Sequence, residues 1–145
     1  MSHPVQDLAD AFLALLATAP GSPALVVCDG EVKDGTTAPY ALVYFYIETP
    51  DGLRAPDAVP LTMASDVIDA WAYVHCVGSD PQAARAARAV SGRVRTAVLN
   101  KRLTVVGRDC GLIRHDSGQP PRRDQDTGPT VMDLVDVYTF RSVPA

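Results

Sequence analysis

The chain has 145 residues, 47% of them hydrophobic and 21% charged, which suits one folded domain with a single core and excludes general disorder. Its formal net charge of -4 argues against a protein built mainly to bind polyanions. The charge is unevenly spread: seven of the 13 basic residues (Arg85, Arg88, Arg93, Arg95, Lys101, Arg102 and Arg108) fall between Pro81 and Arg108 without one acid among them.

Residues 4–18 are expected to form the first helix. Pro4 suits a first turn, Asp7 faces the positive end of the dipole, and Val5, Leu8, Ala9, Phe12, Leu15 and Leu16 recur at helical spacing. "AFLALLATAP" has the apolar run of a signal peptide but follows Asp7 and lacks a basic start, so a cytoplasmic protein is expected. "PGSP" at 20–23 ends the helix. "ALVVCDG" then reads as a short strand closed by an Asp-Gly turn, and "PYALVYFYIET" as a long central strand. "DGLRAPDAVP" is a turn and loop. Residues 66–78 form the third strand, with Trp71, Tyr73 and His75 on one face and Ala72, Val74 and Cys76 on the other.

The basic segment follows as a helix over 80–99, with Ser79 or Asp80 as cap and Pro81 in its first turn. Steps of about 100° per residue place Ala83, Ala87, Val90, Val94, Ala97 and Val98 on one side. Arg85, Arg88 and Arg95 cluster opposite, with Arg93 on the flank and Gly92 among the polar positions. Small residues in the apolar stripe let this helix lie close against a sheet. "LTVVG" and "GLIRHD" read as two short strands. Residues 116–130, "DSGQPPRRDQDTGPT", hold three prolines and no large apolar residue, the composition of a mobile loop. "VMDLVDVYTFRSV" is the last strand, with Leu134, Tyr138 and Phe140 on one face. The whole is an α+β domain over 1–145: a mainly antiparallel sheet with two helices on one face.

No catalytic constellation stands out. His75 and Cys76 are adjacent in a strand and point to opposite faces, so they do not form a nucleophile–base pair. Cys28, Cys76 and Cys110 are odd in number and widely spaced, which suits reduced thiols; no paired zinc-ligand spacing is present. Asp66 with Asp69, and Asp133 with Asp136, read as solvated or interfacial carboxylates, the latter two on opposite faces of a strand. For nucleic acid, the basic helix stands alone: a strand precedes it where a helix-turn-helix would need a helix, and no aromatic residue interleaves with its arginines. Catalytic, cofactor-binding and metal-binding residues are therefore all expected to be none. The expected interface residues are Arg85, Arg88, Arg95, Arg122, Arg123 and Asp124.

"YVHCVGSDPQAARAARAVSGRVRTAVLNKRLTVVGRDCG", followed by "RHDSGQPPRRDQDTGPTVMDLVDVYTF", resembles the tail-terminator and minor tail proteins of long-tailed phages, the actinobacterial phage or prophage type in particular. The likeness covers about residues 38–143 and lies in a pattern of elements rather than in an invariant site motif. It implies a mixed α/β domain assembled as a hexameric ring on the head-proximal end of the tail tube. There the ring ends tube polymerisation and presents the surface joined to the head. The implied partners are further copies of the chain, the tail tube protein and a head–neck connector protein, with at most weak non-specific contact with passing DNA and no membrane. The implied location is the virion tail, assembled in the host cytoplasm, without cofactors or catalysis. The alternatives are a neck or head-completion protein of the same virion, a DNA-binding regulator and a small cytosolic enzyme.

Overall fold

The computed structural model of the chain describes residues 4–49, 67–123 and 130–145. The first helix, α1 (Pro4–Leu16), buries Pro4, Leu8, Phe12 and Leu16, one side chain per turn. The strands β1 (Val27–Asp29), β2 (Tyr40–Glu48) and β3 (Ile68–Ser79) follow, then the helix α2 (Ala83–Val98) and the strands β4 (Arg108–Cys110), β5 (Arg114–Arg123) and β6 (Val131–Pro144). The sheet runs β1-β2-β3-β6-β4, with β5 also paired to β6. Among the described residues β1–β2 is parallel and the other strand pairings are antiparallel. The fold is thus α+β with a mainly antiparallel sheet against which both helices pack. Among the described residues no helix is long and apolar enough to cross a membrane.

The alternation read from the sequence positions the core. Ala70, Ala72, Val74 and Cys76 of β3 point inward, joined by Ala41 and Val43 of β2 and by Leu134, Tyr138 and Phe140 of β6. The helix stripe Ala83, Ala87, Val90, Val94, Ala97 and Val98 is the set of residues α2 buries. Close approach is enforced where β3 ends. A Cβ on Gly78 would lie 2.4 Å from both the Ala83 carbonyl oxygen and the Ala87 nitrogen. Beyond the helix, Arg93 donates to the carbonyls of Pro20 (2.7 Å) and Pro23 (2.8 Å), tying the loop after α1 to α2.

Four expectations need correction. Neither Ser79 nor Asp80 caps α2: Ser79 belongs to β3, and the Asp80 carboxylate accepts the Thr130 N–H at 2.8 Å instead. The position before the helix is Gln82, in the left-handed region at φ 63°, without a side-chain cap. "LTVVG" is a turn and not a strand, because the Arg108 N–H donates to the Val105 carbonyl and Gly107 takes φ 80°. Residues 116–123 are not loop: they belong to β5, whose backbone pairs with β6. That strand accommodates its composition because its register shifts between Gln119 and Arg122, where Pro120 and Pro121 lie, so the prolines sit where ladder pairing is interrupted. Lastly, Asp136 is buried, not solvated. The remainder of the expected loop, 124–129, and the "DGLRAPDAVP" segment lie outside the described residues, as does Asp66.

The two glycines at the helix give opposite expectations. Gly78→Ala must push α2 off β3 and should cost about 1–3 kcal/mol. Nothing lies within 4 Å of a Cβ on exposed Gly92, so Gly92→Ala should stabilise by about 0.5–1 kcal/mol. Urea denaturation of the two variants beside the parent chain reads both signs.

Candidate functional site

Two surfaces and one buried polar node carry the chemistry. The first surface is the outward side of α2. Its apolar stripe is committed to the sheet, so Arg85, Arg88 and Arg95 are all exposed, as expected. The helix has no acid in its first turn, and Arg85 and Arg88 have no ion-pair partner among the described residues. Arg95 differs: it approaches the buried end of Tyr138 and acts on that phenol. The flanking Arg93 is spent on the loop carbonyls of Pro20 and Pro23. Arg108, counted with the basic segment, points inward and donates to the hydroxyl and carbonyl of Ser142, both at 2.9 Å. The structure therefore reduces the uninterrupted basic segment to a narrower outward face centred on Arg85 and Arg88.

The other expected interface residues are on a different element. Arg122 and Arg123 are exposed on β5, opposite Asp133 and Met132 of β6. Asp124 lies outside the described residues. The expected interface set thus divides between a helix and a sheet-edge strand.

The second surface is the sheet face turned away from the helices. Tyr44 and Tyr46 of β2 stand directly opposite Tyr73 and Trp71 of β3. Tyr46 and Trp71 are in ring contact, their centroids 5.7 Å apart. Tyr44, Tyr46 and Tyr73 are 45%, 52% and 41% exposed, which is high for side chains of this size. His75 lies further along the face, its ring centroid 5.5 Å from that of Tyr44 in an edge-to-face arrangement and its Nδ1 2.8 Å from Asp133 Oδ2. At the other end Glu48 stands opposite Asp69, two acids in direct register. Arg141 forks onto Asp69, with Nε 2.7 Å from Oδ1 and the second contact at 3.1 Å. Glu48 is left with the Tyr46 hydroxyl at 3.4 Å.

The buried node joins α2, β5 and β6. Asp136 Oδ2 accepts the Ser91 hydroxyl at 2.5 Å, and its Oδ1 lies 2.9 Å from His115 Nε2. Gly118 leaves room for this pair, since a Cβ there would sit 2.9 Å from Oδ1. Ser91 and His115 both turn to the carboxylate. The three side chains therefore lack the hydroxyl–imidazole contact by which histidine activates a serine. Their evident work is to pin the helix to the edge strand, a role sequence reading missed. Burial first, then Asp136, raises the Tyr138 phenol, and the Arg95 guanidinium pulls it back. Among the described residues the buried Tyr138 hydroxyl makes no hydrogen bond of ordinary geometry, although the Arg95 guanidinium acts on it. Cys76 is likewise raised by burial, then by Asp136 and Asp133, and so remains a protonated, unreactive thiol. All three cysteines are buried and unpaired, and among the described residues no three His, Cys, Asp or Glu side chains converge as metal ligands would.

Asp136→Ala should strand the Ser91 hydroxyl and His115 and cost about 1–3 kcal/mol in denaturant unfolding. Tyr138→Phe, which removes a hydroxyl that makes no hydrogen bond of ordinary geometry among the described residues, should leave stability unchanged or slightly raised; a loss of about 1 kcal/mol or more would show that the Arg95 guanidinium holds that oxygen.

Compared with the models of known protein families and with curated protein sequences, the chain matches none.

Proposed function

We propose that the protein is a structural component of a long-tailed phage, a tail terminator that forms a ring on the head-proximal end of the tail tube. The ring, a hexamer in this reading, ends tube polymerisation and offers the surface to which the head is joined. One observation carries the proposal: an arginine face with no acidic partner among the described residues, held outward on a helix in a protein whose net charge is negative. Such a molecule offers a cationic surface and has acids elsewhere to receive it, which favours contact between copies. The resemblance of about residues 38–143 to tail-terminator proteins supplies the place of assembly, and a mainly antiparallel sheet with two helices is in keeping with it.

The arginines read no base sequence in this proposal. α2 follows directly on β3, so it lacks the immediately preceding helix by which a helix-turn-helix is braced across a major groove. A passage used by the genome needs only weak phosphate contacts, which salt abolishes.

Negative-stain electron microscopy of the purified protein should show rings with a central hole, and compact monomers at every concentration would count against the terminator. Duplexes of varied sequence, titrated at physiological salt, should bind weakly and alike. A preference of about a hundredfold for one sequence, some 2.7 kcal/mol, would replace this reading with that of a regulator.

A further inference from the structure

Resting on the self-assembly just proposed, we infer that copies join head to tail, with the arginine face of α2 in one copy seated on the aromatic sheet face of the next. The two surfaces complement each other chemically. Guanidinium planes stack on the faces of tyrosine and tryptophan, and the attraction strengthens as water leaves. Tyr44, Tyr46, Trp71 and Tyr73 offer those rings together on two neighbouring strands. Glu48 supplies the formal charge. It faces Asp69 in register, and Arg141 forks onto Asp69, so among the described residues this acid at the rim has no cationic partner. Arg85 and Arg88 are cations without an acidic partner among the described residues.

The geometry excludes a self-paired contact of the same kind. Two arginine faces would repel, and two aromatic faces brought together would leave Glu48 opposed by another Glu48 or by nothing. The helix lies on the inner face of the sheet and the aromatic rings on the outer, so donor and receiver are on opposite sides of one molecule. A contact between unlike surfaces repeats from copy to copy and closes into a ring when its rotation allows.

Two variants test the pairing while leaving every arginine in place. Ala89→Cys puts a thiol on the exposed side of α2, and Tyr44→Cys puts one on the aromatic face; the native cysteines are buried. Mixed one to one and treated with a short bis-maleimide, they should give a covalent dimer about tenfold more abundant than either variant gives alone. Adding Arg85→Glu and Arg88→Glu to the Ala89→Cys chain should abolish the mixed product without altering its circular dichroism. Equal cross-linking by Tyr44→Cys alone would show aromatic faces meeting each other and overturn the inference, as would a mixed product that survives the charge reversal. Rings in the micrographs without a mixed cross-link would overturn this pairing of faces while leaving the ring itself standing. Monomers with no cross-link would remove both.

Discussion

At the junction of β3 and α2 there is space for a hydrogen and for nothing larger. Any side chain on Gly78 would strike the backbone of the first helical turn, so the helix starts in contact with the strand that leads into it. From that point the alanines and valines of its stripe run over β3 and β6, and their small size keeps the two layers close along the helix. The close fit has a consequence on the far side of each layer. A helix that spends one side wholly on the sheet must turn its arginines to solvent. A sheet that has both described helices on one face turns its aromatic strands to the other. Both surfaces discussed above thus descend from one steric constraint.

The polar contacts make α2 a fixed platform rather than a loosely attached cylinder. Ser91 reaches Asp136 on one flank, and Arg93 holds two backbone carbonyls of the loop after α1 on the other. Between them the apolar stripe is buried. The exposed arginines are therefore presented from a backbone whose position is set by three independent kinds of contact, and preorganisation of that kind lowers the entropic cost of association.

Much of this was legible in the sequence, and the exceptions have a common cause. The helix stripe and the alternation of β3 could be read because burial on one face imposes a period that residues a few positions apart must obey. β5 could not. It is a strand because β6 offers it a backbone ladder, and its exposed side chains had no need to be apolar; "DSGQPPRR" therefore looks like a loop. Asp136 was misread for a related reason. What makes a buried carboxylate tolerable is a serine 45 residues away and a histidine 21 residues away, and no local pattern announces them. The aromatic face was half visible: the outward alternation of Trp71 and Tyr73 could be read, but their alignment with Tyr46 and Tyr44 depends on the register of β2 against β3.

The position of β6 in the sheet has a bearing on how the chain is made. It lies between β3 on one side and β4 and β5 on the other, yet it comes last of the sheet's strands in chain order. A nascent chain that has not yet reached Val131 holds β3 with β2 as its only strand neighbour. Its other edge is unpaired, and Tyr138 and Phe140 are missing from the space beneath α2. Pairing across so long a sequence separation is slow to form. During synthesis, then, the growing polypeptide carries an open, apolar strand edge until β6 clears the ribosome. That interval, rather than the finished fold, is when it is most exposed to aggregation and most in need of a chaperone.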